Sequence, residues 1–546
     1  MIGELIDGLR PGDPRPAIIG PPAIGPASIR AAFSRPAPDR PELDQPAPNQ
    51  PAPNQPAPDQ PALDQPALGR SLFGRSLFGL RPRTVVSRGE LATLLDGYAV
   101  ALHAEGLVAG DTVGLAVRPG PRSLAVLLAA YHLGLRIAVL DPSAGPDVLL
   151  ARLRLARPRL ILADAAAQAV AGWAAPLARR ARLELPDLSA LAPARTIGRR
   201  LPGTAPGLAP GNGPRPRGYD GDGDAVIVFT SGTTSRPRAV VHTRASVSAG
   251  MRTVHDLVRP RPDRPVLGGT FFVLVPSLAA QAPVALPARH PAALARQLAA
   301  LTPQATYLTP PQLRAALTAG ARFTGRVYSG SAPVSAALLA RVRAAGADRA
   351  YGVYALTEVF PAAVTEADDK AAFEGAGDHV GGLLPGIRAR IDDNGQVLLA
   401  GPNAADRYLG EDPREWIATG DIGRLEGNSL VLGGRVKDMI LRDAENIYPG
   451  LYEPSLHVPG VELALIVGIP ATDGDERVVA LVQPAEGTDP RTLRAALREP
   501  LHRMGTARPD ALVFGRIPLA GRSRKPDRPA AALLAARLAA RSAPRA

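Results

Sequence analysis

Cysteine is absent from the 546 residues. That excludes a catalytic thiol, a disulfide framework and any cysteine-ligated zinc or iron–sulfur site, and it fits a reducing cytoplasm. Aromatic residues are scarce, at 4%. Lysine is rare as well, so the formal net charge of +13 comes from arginines scattered along the chain. The charge raises nucleic-acid binding as a reading, but no basic stripe interleaved with aromatics supports it, and no nucleic-acid partner is expected. Long apolar runs are missing too. The most apolar stretch, "FFVLVPSLAAQAPVALPA", is short and holds prolines; it reads as a buried strand and turn rather than a membrane span. The first twenty residues lack a basic start followed by an apolar run, so no signal peptide is expected and the cytoplasm is the expected location.

What is present reads as globular protein. Hydrophobic residues make up 46% and charged residues 21%, and the length allows two or more domains around large cores. Residues 1–82 form a separate compositional zone. Within it "LDQPAPNQPAPNQPAPDQPALDQPAL" (Leu43–Leu68) repeats every five residues with a proline in each unit. Such a density blocks helix and sheet and favours extended polyproline II, so the zone is predicted to be a Pro-rich tail or spacer. The two phenylalanines of "GRSLFGRSLFGL" just after it are candidates to dock on the body or a partner. From about Arg83 helical periods alternate with short β-branched runs, which predicts an α/β fold with parallel sheets. "LPGTAPGLAPGNGPRPRGYDGDGD" (Leu201–Asp224) is a connection, and "LLAARLAARSAPRA" a basic helix end or tail.

After the apolar run Ala225–Val228 comes "FTSGTTSRPRAVVHT" (Phe229–Thr243). A glycine, several hydroxyls and backbone N–H groups following a strand can cradle phosphate oxygens. Here Gly232 allows close approach, the hydroxyls of Thr230, Ser231, Thr233 and Thr234 can donate, and Arg238 can pair with an anionic oxygen. A solvated turn has the same texture, so the loop alone leaves both readings open.

Five further stretches follow in order: "SGSAPVS" (Ser329–Ser335), "YALTE" (Tyr354–Glu358), "ATGDIGRL" (Ala418–Leu425), "GRVKDMILRDAENIYP" (Gly434–Pro449) and "IPLAGRSRKPDR" (Ile517–Arg528). Together with the loop they resemble the motif series of the adenylate-forming superfamily, which comprises acyl-CoA synthetases, luciferases and peptide-synthetase adenylation domains. The resemblance covers about residues 84 to 530. It implies a large N-terminal domain over 83–433 and a small, mobile α+β C-terminal domain over 434–546, with a hinge near Lys437. It implies ATP and Mg²⁺ as cofactors and a small-molecule carboxylic acid as substrate. The acid becomes acyl-AMP with loss of pyrophosphate and then passes to a thiol of CoA or phosphopantetheine. No carrier motif occurs in the chain, so any acyl carrier protein is expected to be a separate partner.

The resemblance also assigns roles. Ser331, Ala332 and Pro333 fall on the adenine-contacting turn, and Tyr354 near adenine, with a core tyrosine as the rival reading. Thr357 would touch a phosphate and Glu358 would hold Mg²⁺, as a hard cation prefers; a helix-capping carboxylate is the alternative. Asp421 would accept from the ribose hydroxyls and Arg435 would support ribose or phosphate, unless the two are ordinary ion-pair members. Lys525 would bridge the substrate carboxylate and the α-phosphate, where developing charge needs preorganised cations.

Four departures stand out. Arg238 replaces the usual lysine, and its planar fork differs from a point charge. Ser235 and Ala239 stiffen the loop. Asp443 and Ala444 replace a glycine pair beside the thiol channel. Arg524 replaces the glycine before the catalytic lysine, leaving the register between Arg524 and Lys525 open. The wall of the acyl pocket is expected at Pro276–Ala279, small and apolar. Two alternatives remain open: a non-thiol fate of the adenylate, such as β-lactone closure or activation of an unusual oxyanion, and a degenerate homologue that binds without catalysis.

Overall fold

The computed structural model describes residues 1–21, 85–140, 146–165, 168, 192–230, 238–442, 445–471, 475–520 and 524–542. The chain opens with a helix, Ile2–Gly8, whose Ile2, Leu5 and Ile6, with Leu9 just beyond, are all buried. Their spacing puts one apolar stripe on the helix, and the stripe joins the largest core cluster. A strand, Pro16–Ile19, then pairs parallel with Val284–Ala285 and antiparallel with Val85–Ser87. The expectation of a tail over residues 1–82 is therefore corrected for its beginning. Residues 1–20 belong to the body, and the Pro-rich segment connects two paired strands, with Ile19 opposite Val85. The reading of residues 22–84 as a spacer lies outside the described residues. The next helix, Arg88–Ala104, is started by a capping box of Ser87 and Glu90. Gly89 lets it lie against the N-terminal segment: a Cβ there would stand 2.7 Å from the nitrogens of Gly12 and Asp13.

Two large sheets carry the site. A seven-stranded sheet runs, from one edge, Arg407–Tyr408, Arg238–Thr243, Asp224–Thr230, Arg136–Val139, Thr112–Ala116, Leu160–Asp164 and Ala194–Ile197. Its last five strands are parallel and its first three alternate. Asp224–Thr230 and Arg238–Thr243 form a hairpin with Thr230 opposite Arg238. A thirteen-stranded sheet has a parallel centre, including Ala305–Tyr307, Arg326–Ser329 and Arg349–Tyr354, and an antiparallel wing that includes Ile417–Glu426 and Ser429–Arg435. From Ile440 onward the chain builds smaller sheets. Val461–Pro470, Glu476–Pro484 and Ala511–Phe514 form three strands, Leu519–Ala520 pairs with Lys525–Pro526, and helix Arg528–Ser542 follows. Ala531, Ala535 and Ala539, on one stripe of that helix, are buried in a core made only of residues from this part.

The apolar run "FFVLVPSLA" is a helix, Phe271–Ala279, and not the expected strand and turn; a two-residue strand, Val284–Ala285, comes later. A run apolar on every side carries no period to separate helix from strand. Pro276 is tolerated in a helix this short, and Ser277 Oγ bonds back to the Val273 carbonyl at 2.7 Å. Among the described residues no helix is long and apolar enough to cross a membrane.

Candidate active site

The strand register of the antiparallel wing sets Arg435 directly opposite Asp421. Arg435 Nε donates to Asp421 Oδ1 at 2.8 Å, and Tyr354 Oη, from the end of a central strand, donates to Oδ2 at 2.7 Å. Asp421 is only 4% exposed. Burial pushes its carboxyl up from the ordinary value, against the pull of Arg435 and Tyr354. Tyr354 is pushed well up by its surroundings and then by the Asp421 charge, so it stays a donor. Asp421 and Arg435 are thus ion-paired, as one reading allowed, but inside the protein rather than on its surface. Each carboxylate oxygen keeps a second lone pair for a ligand hydroxyl.

Asp421→Asn presents an NH₂ group to one of these two partners. Losing a hydrogen bond to a charged group costs about 1.5–3 kcal/mol, so ATP affinity is expected to fall roughly 10- to 100-fold, checked by calorimetric titration. The pH signs differ for binding and stability. With a raised folded pKa, Asp421 loses its charge above the ordinary 3.8, and with it the acceptor a bound ribose would use. In the window between that value and the folded pKa the folded state binds more protons than the unfolded one, so acidification there weakens ATP binding while this group's effect on stability is favourable.

A second network lies on and beside the strand Arg238–Thr243. Arg238 lies half exposed with its guanidinium carbon 4.1 Å over the Tyr408 ring and a terminal nitrogen 3.9 Å from Glu411. Tyr408 Oη donates to Glu358 Oε1 at 3.0 Å. The Glu358 carbonyl accepts from Ala405 N–H at 2.7 Å. His242, 2% exposed, donates from Nε2 to the Thr357 carbonyl at 2.8 Å, with Nδ1 3.2 Å from Ser246 Oγ. Burial lowers the His242 pKa, so the ring is neutral at neutral pH and its tautomer is set by the Thr357 bond. Among the described residues no group of three or more His, Cys, Asp or Glu could hold a metal ion. A lone carboxylate fits Mg²⁺, which uses one or two carboxylates with phosphates and water for the rest.

Lys525 opens a two-residue strand paired with Ala520. The residue before it, Arg524, has φ +49°. That left-handed conformation is free for glycine and costly for other residues. Lys525 is exposed, yet the protein around it, then Arg435 and Lys437, hold its pKa below the ordinary lysine value against the pull of Asp421. Lys437 sits in the 3-10 turn Val436–Asp438 right after Arg435. Arg528 ties that turn to the following helix, reaching Asp438 at 3.1 Å and Glu453 at 2.7 Å. The structure thus brings Asp421, Tyr354, Arg435, Lys437 and Lys525 together.

Ser331 also has a positive φ, +69°, and its hydroxyl is 2.9 Å from Tyr307 Oη; Ala332 is half-buried and Pro333 exposed beside it. A cavity of about 2550 Å³ is lined by polar residues including Thr230, Tyr307, Ser331 and Thr357, by charged residues including Arg118, Asp164, Arg289 and Arg524, and by apolar residues including Val247, Met251, Phe271, Phe272, Leu356 and Phe360. Asp421, Glu358, Arg238 and Lys525 do not line it. Ser231, Gly232, Thr233, Thr234, Ser235, Asp443 and Ala444 lie outside the described residues. The expected pocket wall is corrected: Pro276, Ser277 and Leu278 are buried in the core, and the cavity is faced by Phe271, Phe272 and Phe360, the last two with ring centroids 3.6 Å apart. At the cavity edge Glu462 joins Arg314 at 3.2 Å and Arg341 at 2.9 Å, linking the strand Val461–Pro470 to the helices Pro310–Thr318 and Ala336–Ala344.

Sequence reasoning missed His242, Tyr408, Phe272 and Phe360. A signal existed only for the aromatics: in a chain with 4% aromatic residues, any aromatic close to a motif is a candidate.

The architecture is that of known proteins. The amide bond synthetase of Marinactinospora thermotolerans superposes with a TM-score of 0.68 over 82% of this chain and 95% of its own, at 24% identity. A fatty acid–[acyl-carrier-protein] ligase of Streptomyces coeruleorubidus is 31% identical over 51% of this chain and 61% of its own. The indoleacetate–CoA ligase of Aromatoleum aromaticum is 28% identical over 50% and 58%. The chain spans less than two thirds of the length of these two curated relatives. The model of the family described as AMP-binding enzyme matches residues 54–409, more than half of the sequence, and the chain belongs to that family.

Proposed function

We propose that the protein is an AMP-forming ligase that activates an apolar monocarboxylic acid. The acid's carboxylate oxygen attacks the α-phosphorus of ATP, the bond to the bridging oxygen breaks, and pyrophosphate leaves with the electron pair. The acyl-AMP then meets a thiol of CoA or of a phosphopantetheine on a separate carrier protein; sulfur bonds to the acyl carbon and AMP leaves. The observation that carries this reading is the junction of Asp421, Tyr354, Arg435 and Lys525, two acceptor oxygens flanked by cations. Asp421 accepts from the ribose, Tyr354 and Arg435 hold it in place, and the Ser331–Pro333 turn with the Tyr354 ring borders the adenine. Thr230 and Ser231–Thr234 cradle phosphates, with Arg238 and Thr357 beside them. Glu358, with the phosphates, would hold Mg²⁺, which would neutralise charge on the leaving pyrophosphate. Lys437 is the hinge between residues 83–433 and 434–546, and the cytoplasm is the proposed location.

Support for Lys525 as the catalytic position comes from Arg524. Its φ of +49° occupies the place of the glycine that precedes the lysine in the resembling motif. Support for an apolar acid comes from the wall of Phe271, Phe272, Met251 and Phe360. The one imidazole near that wall, His242, already has a partner at each ring nitrogen. Both curated relatives named above are ligases whose printed acids are largely apolar.

Exchange of labelled pyrophosphate into ATP across a panel of acids tests this. Medium-chain fatty acids and arylacetates are expected to support exchange at least about 10-fold better than amino acids or dicarboxylates of similar size. Exchange with none of them, or a preference for the charged acids, refutes the reading. Thiol-dependent consumption of CoA or loading of a carrier protein then identifies the acceptor.

A further inference from the structure

We infer that Tyr408 is a positioning residue that serves both phosphate-handling groups at once, its hydroxyl aiming the Glu358 carboxylate at the metal and its ring face carrying Arg238. The inference rests on the proposed role of Glu358 toward Mg²⁺ and goes beyond it.

Tyr408 is 8% exposed and lies on the edge strand Arg407–Tyr408, paired with Val240 on the strand that Arg238 begins. That register places the ring against the base of the phosphate hairpin. Its hydroxyl gives its only proton to Glu358 Oε1 at 3.0 Å, which uses a lone pair of that oxygen and fixes the plane of the carboxylate. A cation arriving with ATP meets a carboxylate already oriented.

The ring face does a separate job. The Arg238 guanidinium carbon stands 4.1 Å above it. A flat, weakly hydrated guanidinium stacks on an aromatic face better than an ammonium does. The arginine that replaces the usual lysine is therefore matched to this tyrosine. Arg414 approaches the same ring at 5.7 Å, and Glu411 is shared by Arg238 and Arg414, so the Arg238 guanidinium is held by a carboxylate as well as by the ring.

The two jobs can be separated because the backbone around Tyr408 is held independently. Ala405 N–H bonds the Glu358 carbonyl, Asp406 N–H bonds Val241 O at 3.0 Å, and Leu409 N–H bonds Ala239 O at 2.8 Å. Tyr408→Phe keeps these bonds, the ring and the Arg238 stack, and removes only the hydroxyl. Tyr408→Leu removes both functions.

Calorimetric titration of the full chain with ATP, in EDTA and over a series of Mg²⁺ concentrations, reads the two jobs apart, and Mn²⁺ electron paramagnetic resonance with ATP reads the metal directly. In the wild type, metal is expected to tighten ATP binding. Tyr408→Phe is expected to reduce that metal-dependent gain by about 10-fold and to leave metal-free ATP affinity within about twofold, with an altered Mn²⁺ spectrum. Tyr408→Leu is expected to weaken metal-free binding as well, and Arg238→Lys to do so while preserving the metal gain. A Tyr408→Phe protein with the wild-type metal gain and Mn²⁺ spectrum overturns the proposal. If Glu358→Gln keeps the full metal gain in an otherwise ATP-binding protein, the reading of Glu358 fails first and takes this one with it.

Discussion

Replacing Lys525 with alanine is expected to slow acid-dependent pyrophosphate exchange by about 100- to 1,000-fold, the usual loss when one preorganised donor to a developing oxyanion is removed, while Mg-ATP still binds. The ammonium shares its surroundings with Arg435, Lys437 and Asp421, which places it beside the carboxylate proposed to hold the ribose. Nucleotide affinity, proposed to rest on Asp421, Tyr354 and the hairpin of Asp224–Thr230 and Arg238–Thr243, is expected to survive its loss. Arg524→Ala is expected to keep exchange within a few-fold of wild type. The opposite pair of results, a silent Lys525 and an essential Arg524, would show that the register is wrong. The pH profile supplies an independent readout. Because the Lys525 pKa is lowered from 10.5, the alkaline limb of exchange falls below that value. Between the folded pKa and 10.5 the unfolded chain binds the extra proton, so stability from this group rises with pH while activity falls. A limb lost by aggregation or unfolding would have the two move together.

The second large effect concerns the first twenty residues. A chain lacking residues 1–84 is expected not to fold. It loses Ile2, Leu5, Ile6, Leu9 and Ile18, each at most 2% exposed, and about 1.5–3 kcal/mol for each buried side chain sums to about 15 kcal/mol at most. That is comparable to the whole stability of an ordinary domain. A chain in which residues 20–84 are replaced by Asn-Gly should behave differently. Ile19 and Val85 are direct antiparallel partners, and two residues in a type I′ turn suffice to join them. Thermal denaturation decides: a midpoint within a few degrees of wild type is expected for the internal deletion, and no cooperative transition for the terminal one. A normal transition after removal of residues 1–84 refutes the assignment of the N-terminal helix to the core.

Much of this was readable from the residues, for stated physical reasons. The alternation of helical and β-branched periods gave the α/β class, because period is a local property. The chain has only three lysines, Lys370, Lys437 and Lys525, and two of them fall in motif stretches, which is why Lys525 stood out. Asp421 and Arg435 were legible as single positions, but their direct pairing depends on strand register, which no motif states. The N-terminal helix was hidden by its neighbours. Its apolar spacing is regular, but the proline-dense segment that follows dominated the composition of the window. The helix Phe271–Ala279 was misread because burial on all sides erases periodicity and Pro276 suggested a break. The hydrogen bonds that His242 and Tyr408 make were beyond reach for a topological reason. Their partners Thr357 and Glu358 lie 115 and 50 positions away, and only the folding of two sheets against each other brings them within hydrogen-bond distance.

The ion pairs of Glu462 bear on how the enzyme could be steered from outside. In the proposed cycle the part of the chain after Lys437 swings relative to the rest, and each swing has to separate Glu462 from both Arg314 and Arg341. Arg314 is largely buried, and its surroundings already press against its charge. Separation therefore leaves a poorly solvated cation behind until Glu462 returns or another anion takes its place. Dissolved salt weakens the outer, more exposed pair with Arg341 more than the inner one. On the proposed hinge, ionic strength is thus expected to act as a dial on that swing, and a multivalent anion settling on the uncovered arginines as a doorstop.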